Sequence, residues 1–124
     1  MNMKKNNNKR TFLDSVYNCL EGIDYTFKNE RNFRIEILIG IIVVIASFLF
    51  KINILEWIVV ILLINFVLIM ELLNTAIESA VDLYSLKINP LSKIIKDVSS
   101  GAVLVMCMFS AVIGILIFLP KILK

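Results

Sequence analysis

The sequence predicts an all-α membrane protein: an N-terminal amphipathic helix on the membrane surface, followed by three transmembrane helices. Of its 124 residues, 59% are hydrophobic and 19% are charged, and the mean hydropathy is +0.86. A soluble domain of this length needs more polar surface to cover its core. Uncharged stretches cover residues 37–50, 57–70 and 98–120. These observations indicate that the solvent of this chain is a lipid bilayer.

The charge distribution predicts a basic flexible tail over residues 1–11 and a single membrane domain over residues 12–124. Within the tail, Lys4, Lys5, Lys9 and Arg10 lie among several Asn residues. Such a solvated basic arm is suited to anionic lipid headgroups. The net charge of +3 is weak support for nucleic-acid binding, and we expect none.

The first helix is predicted over residues 12–29. Its larger apolar residues recur at steps of three and four, whereas acidic and amide side chains fill the other side of the helix. This pattern is typical of an amphipathic helix that lies in the membrane interface. The alternative is a soluble helix packed on a partner, but no soluble part of this chain is large enough to receive it.

The three spans are predicted at about residues 34–50, 54–83 and 93–120. A helix of about 30 residues is about 45 Å long, so the second span must project beyond the hydrocarbon at one end. Ten Lys and Arg residues precede the first span or lie between the second and third spans, against three elsewhere. By the positive-inside rule, the N-terminus and the second loop face the cytoplasm.

Composition also restricts the chemistry available to this chain. There is no His, which removes imidazole as an acid, a base and a metal ligand. The four Gly residues are scattered, so a glycine-rich phosphate loop is absent. Cys19 and Cys107 are isolated and form no metal-binding or redox motif. Carboxylates and hydroxyls are the groups that remain.

The second span is the third predicted helix and is called α3 (residues 54–83). It carries a stripe of polar residues, Glu71, Asn74, Glu78 and Asp82, which we call the α3 stripe. Their spacing of three, four and four places them on one face of a helix. Glu71 is predicted near the inner edge of the hydrocarbon. Placing a carboxylate there costs a few kcal/mol of free energy, so an acidic residue at this depth is expected to have a function. Glu78 and Asp82 have a simpler alternative interpretation as solvated charges at a helix end.

Carboxylates with Asn and without His or Cys favour a hard cation such as Mg²⁺. Lys96 at the start of the third span offers a positive charge for a phosphate. Together these groups are suited to phosphoryl transfer at a membrane surface. A carboxylate cluster that conducts protons or cations would have a similar pattern, and the spacing alone does not separate the two.

Three segments resemble the small bacterial integral-membrane diacylglycerol kinase and undecaprenol kinase family. They are ELLNTAIESAVD at residues 71–82, KDVSSGAV at residues 96–103 and NERNFR at residues 29–34. The resemblance implies a homotrimer that transfers the γ-phosphoryl group of ATP to a lipid alcohol. Self-association is also expected on physical grounds, because three short spans make too thin a bundle to surround a buried carboxylate stripe.

The resemblance also implies a role for individual residues. Glu71 would be the general base, with Asn74 ordering the site, and Glu30 and Glu78 would hold Mg²⁺. The remaining implied contacts are with ATP, through Lys96, Asp97, Asn18, Lys87, Asn89 and Arg10, and with the lipid acceptor, through Glu71, Ser100 and Arg34.

Segments 27–34 and 96–102 look more like the polyprenol-using branch, so we expect undecaprenol as the acceptor. The alternative within the family is diacylglycerol. An alternative of another class is a non-enzymatic membrane assembly protein or a small cation pathway. The implied location is the bacterial cytoplasmic membrane, with the active site facing the cytoplasm.

Overall fold

A computed structural model describes residues 10–84 and 89–124, and these residues form four helices. They are α1 (Phe12–Asn29), α2 (Arg31–Leu49), α3 (Ile54–Tyr84) and α4 (Pro90–Ile122). The last three are long and apolar enough to cross a membrane. The predicted all-α fold class is therefore confirmed. The tail predicted over residues 1–11 falls mostly outside the described residues and stays a prediction.

The start of α1 is fixed by a capping box. The Thr11 hydroxyl accepts a hydrogen bond from the Asp14 N–H at 3.2 Å, and the Asp14 carboxylate accepts one from the Thr11 N–H at 3.1 Å. The hydrogen bond from the Thr11 backbone lowers the pKa of the Asp14 carboxyl below its usual value. The apolar side chains of Phe12, Leu13 and Tyr17 stay exposed. This exposure is expected of a helix whose apolar face meets a membrane surface.

A single extended residue, Glu30, joins α1 to α2. Its φ and ψ are −107° and 109°, and its N–H donates to the Thr26 carbonyl at 2.8 Å. The Arg34 guanidinium donates to the carbonyls of Phe27 and Lys28 at 2.7 and 3.0 Å. These bonds hold the C-terminal end of α1 against the start of α2. The first span is predicted to start at about residue 34. The helix that contains it, α2, begins at residue 31, because only one residue separates it from α1.

Helices α2 and α3 pack closely where Gly40 lies. A Cβ atom at that position would be 3.1 Å from Cγ2 of Ile64, so a larger residue would require the Ile64 side chain to shift by a few tenths of an ångström. The turn between the helices contains Lys51 in the left-handed region, at φ 50°. The Asn53 side chain then accepts a hydrogen bond from the Glu56 N–H at 2.9 Å and caps the start of α3.

Helix α3 is the centre of the subunit. It packs along α4 over the largest contact, and it also contacts α2 and α1. In the described ranges, the backbone of α4 packs against neither α1 nor α2. The N-terminal end of α3 and the C-terminal end of α4 are joined by an ion pair of 2.9 Å between Lys121 and Glu56. Few apolar side chains are buried within the subunit, so its surface is suited to lipid or to other subunits.

Candidate active site

The α3 stripe runs from the interior of the fold to the exposed C-terminal end of α3. Glu71 is 1% exposed and Asn74 is 7% exposed. Glu78 is half-buried, and Asp82 is exposed. A buried carboxylate without a paired cation is costly, whereas a carboxylate at the exposed end is solvated. The stripe therefore places its most unusual group, Glu71, deepest in the fold.

Helices α3 and α4 together hold the Glu71 side chain in place. The Asn74 amide lies three residues along α3 from Glu71, on the same face of the helix, and it acts on the Glu71 carboxylate. The Ser99 hydroxyl of α4 donates to Asn74 Oδ1 at 2.8 Å, and this contact is buried. The Thr75 hydroxyl donates to the Glu71 backbone carbonyl at 3.0 Å. The orientation of the deepest carboxylate thus depends on an amide that is itself fixed from α4.

Carboxylates from three parts of the fold act on Glu71 as like charges. Glu30 comes from the junction between α1 and α2, and Glu78 comes from the same helix as Glu71. Glu36, from the first turns of α2, also interacts with Glu71. The fold therefore places Glu30, Glu36 and Glu78 near enough to Glu71 for their charges to act on it. We call these four residues the carboxylate cluster.

A cation bound near these carboxylates would be stabilised by their charge. In the parts of the chain that the structure describes, no three His, Cys, Asp or Glu side chains are arranged to hold a metal ion alone. Mg²⁺ rarely uses such a cage, because it usually takes one or two carboxylates and completes its shell with phosphate oxygens and water. The donor set of Glu30 and Glu78 fits that mode of binding.

Two lysines of α4 form ion pairs near the stripe. Lys96 Nζ lies 2.6 Å from Asp82 Oδ1, and Glu78 also acts on this ammonium group. Lys93 pairs with Asp97 one turn along the same helix. Lys96 therefore reaches the α3 stripe, whereas the Asp97 carboxylate is directed along its own helix.

Several other predicted site residues have local partners in the structure. The Ser100 hydroxyl donates to the carbonyls of Lys96 and Asp97, at 3.0 and 3.2 Å. Asn89 caps α4 by accepting a hydrogen bond from the Ser92 N–H at 2.9 Å. Arg34, as described above, caps the end of α1. Their predicted contacts with ATP or lipid stay predictions.

Two predicted nucleotide contacts, Arg10 and Asn18, are not brought to the stripe. Arg10 and Asn18 are exposed, and within residues 10–84 and 89–124 no hydrogen bond or ion pair joins either of them to α3. Lys87 lies outside the described residues. These three assignments also stay predictions.

An apolar groove of 530 Å³ lies between α2 and α4, with α3 as its floor. Its lining includes Gly40, Val67 and Phe118, and Glu36 also lines it. Two buried polar atoms here, Glu36 Oε2 and Ser110 Oγ, have no hydrogen-bond partner among the described residues. The groove therefore joins an apolar surface to the carboxylate cluster through Glu36.

Sequence reasoning missed Ser99 and did not place Glu36 in the site. The available indication for Glu36 is that it is the last charged residue before the apolar part of α2. Nothing in the sequence distinguishes Ser99 from its neighbour Ser100, because only the packing of α4 on α3 decides which hydroxyl is buried.

Comparison with known proteins identifies the family. Residues 17–118 match the model of the prokaryotic diacylglycerol kinase family. The chain belongs to this family. The protein is therefore a membrane lipid kinase. As a kinase of this family, it is expected to use ATP as its co-substrate.

Relatives of this kinase cover most of its length. Undecaprenol kinase of Bacillus subtilis is 44% identical over 115 residues, which are 93% of this chain and 94% of that protein. A diacylglycerol kinase of Synechocystis is 39% identical over 83% of this chain and 59% of its own length. Diacylglycerol kinase of Pseudomonas aeruginosa is 36% identical over 75% of this chain and 76% of its own length.

The contact between Ser99 and Asn74 gives a first prediction for this kinase. Ser99→Ala removes a buried hydrogen bond and frees the amide that lies beside Glu71. We expect kcat to fall about fivefold and the free energy of unfolding to fall by about 1 kcal/mol. The matched control is Ser47→Ala, because the Ser47 hydroxyl is also buried but bonds only the Val43 carbonyl of its own helix. Both variants are assayed for kcat and thermal unfolding in detergent, and equal kcat values in the two would contradict the prediction.

Proposed function

We propose that this kinase transfers the γ-phosphoryl group of MgATP to undecaprenol and forms undecaprenyl phosphate. The observation that carries the proposed site is the burial of Glu71 at a point where the charges of Glu30 and Glu78 act on it. The choice of acceptor is supported by the undecaprenol kinase of Bacillus subtilis, whose match extends over nearly the whole of both chains.

Glu30 and Glu78 are the residues we propose as ligands of Mg²⁺. One lies at the junction of α1 and α2 and the other on α3, and the charges of both act on Glu71. Bound there, Mg²⁺ would neutralise charge on the phosphate oxygens.

Glu71 is the proposed general base. A carboxylate that is 1% exposed and held beside Asn74 cannot turn toward water, so it is preorganised for a hydroxyl brought to it. The lipid oxygen forms a bond to the γ-phosphorus while the bond from that phosphorus to the bridging oxygen breaks. The hydroxyl proton passes to Glu71, and ADP leaves with the bridging oxygen.

Lys96 is the proposed phosphate contact. Its ammonium lies at the exposed end of the α3 stripe, where a water-soluble nucleotide can approach, and it opposes the charge of Glu78. Positioning and charge neutralisation of this kind supply most of what phosphoryl transfer requires.

The apolar groove supports a long-chain acceptor. It is open along one side and lined by the apolar faces of three helices, and Glu36 connects it to Glu71. A polyprenyl chain lying there would bring its terminal hydroxyl toward the general base. Diacylglycerol, the second candidate, is favoured by the names of two other relatives.

We also propose that the site faces the cytoplasm and that three copies assemble. The excess of Lys and Arg in the N-terminal segment and the second loop supports this orientation. Apolar side chains exposed along all three spanning helices leave ample surface for contact between subunits.

The acceptor is tested by competition. The purified protein in detergent receives radiolabelled ATP, Mg²⁺ and equal concentrations of undecaprenol and diacylglycerol. We expect labelled undecaprenyl phosphate to exceed labelled phosphatidic acid about tenfold or more, which corresponds to about 1.4 kcal/mol of discrimination. A dominant phosphatidic acid product would establish the second candidate instead. If folded protein transfers phosphate to neither lipid, both candidate functions are contradicted.

A further inference from the structure

An ion pair joins the inner ends of α3 and α4. Lys96 Nζ lies 2.6 Å from Asp82 Oδ1, and the two residues are fourteen positions apart in sequence. The Lys96 and Asp82 side chains are 37% and 50% exposed. Ion pairs this exposed contribute little to stability. The pair therefore affects the position of the Lys96 ammonium group more than it affects the stability of the fold.

The position of Asp82 matters because it ends the α3 stripe. It lies one helical turn beyond Glu78, whose charge also acts on Lys96. A lysine side chain is flexible and loses its position when it has no partner. An ammonium group has three donor hydrogens, so a single bond to Asp82 leaves two for other oxygens. The pair thus holds the Lys96 ammonium group at the open end of the stripe and leaves two of its N–H donors for other acceptors.

We propose that Asp82 is a positioning residue, which holds the Lys96 ammonium at the open end of the α3 stripe for the phosphates of the nucleotide. The proposal rests on the phosphate contact assigned to Lys96 under the proposed function. Asp82 itself touches no reacting atom, so its effect passes entirely through Lys96.

The same two helices carry a second ion pair that serves as a control. Lys121 and Glu56 join the outer ends of α4 and α3 at 2.9 Å, far along α3 from the stripe. Their side chains are 26% and 20% exposed, so this pair is more buried than that of Asp82 and Lys96. If the pairs only held the helices together, removing either carboxylate would have the same kind of effect.

The test compares Asp82→Asn with Glu56→Gln, using purified full-length protein in detergent and saturating lipid acceptor. For Asp82→Asn we expect the KM for ATP to rise about tenfold while kcat changes less than about threefold. For Glu56→Gln we expect an unchanged KM and a lower thermal midpoint. Asp82→Glu keeps the carboxylate and should recover part of the KM. If Asp82→Asn lowers only the thermal midpoint, as Glu56→Gln does, the role is structural and the proposal is overturned.

A double-mutant cycle shows whether Asp82 acts through Lys96. We expect Lys96→Met to raise the KM for ATP, and Asp82→Asn to raise it no further in the Lys96→Met background. A further rise in the double variant would overturn the proposal. If Lys96→Met leaves KM unchanged, the phosphate contact assigned to Lys96 fails, and the role of Asp82 fails with it. If Lys96→Met raises KM and Asp82→Asn alone does not, only the role of Asp82 fails.

Discussion

Glu71→Gln is expected to reduce phosphate transfer by about a thousandfold or more, because a general base contributes 10²–10⁴-fold and the amide cannot accept the proton. The substitution keeps the size and shape of a side chain that is 1% exposed, so the packing around it is retained. It also removes one of the like charges that face Glu30 and Glu78. We therefore expect MgATP to bind with a dissociation constant within about threefold of the wild-type value.

The control for Glu71→Gln is Glu56→Gln, the same substitution on the same helix at its outer end. Glu56 pairs with Lys121 and has no contact with the α3 stripe, so its variant should keep kcat. Turnover is measured with radiolabelled ATP and saturating lipid, and nucleotide binding is measured by equilibrium dialysis. A Glu71→Gln protein that turns over at more than about a tenth of the wild-type rate would exclude Glu71 as the general base.

Glu78→Gln is expected to act mainly on nucleotide binding. It removes a proposed ligand of Mg²⁺ and a charge that acts on Lys96, but it leaves Glu71 and Asn74 in place. We expect the KM for MgATP to rise about thirtyfold or more, since losing one metal ligand commonly costs 10–100-fold. At saturating MgATP, kcat should fall less than it does in Glu71→Gln.

The control for Glu78→Gln is Asp24→Asn. Asp24 is an exposed carboxylate that pairs with Lys28 on α1, so its loss changes the net charge without touching the site. Its KM for MgATP should equal that of the wild type. If the two variants raise KM equally, the effect of Glu78→Gln comes from charge in general and not from a metal ligand.

Local patterns were sufficient to predict the helices and the stripe. Hydrophobic runs and their period define a helix without reference to the rest of the fold. The spacing of Glu71, Asn74 and Glu78 fixes a common face because a helix has a known period. A common depth in the membrane predicts that Glu30 lies near them, and in the structure the Glu30 charge acts on Glu71.

Contacts between helices were not predictable from the same patterns. The rotation of α4 about its axis decides that Ser99, and not Ser100, meets Asn74. The sequence also did not predict that Lys96 pairs with Asp82, because an acidic residue at a helix end is usually a solvated charge. Arg34 has the charge of a ligand-binding residue, yet its guanidinium caps α1. In each case the sequence supplies the group, and tertiary packing selects its partner.

The division of labour within the α3 stripe is tested most directly by measuring binding and transfer in two variants side by side. Glu71→Gln and Glu78→Gln are each assayed for MgATP binding at equilibrium and for phosphate transfer to undecaprenol in a single turnover at saturating MgATP. We expect Glu71→Gln to bind normally and fail to transfer, and Glu78→Gln to bind weakly and still transfer once saturated. Equal losses of binding in both variants, or transfer by Glu71→Gln near the wild-type rate, would contradict these separate roles.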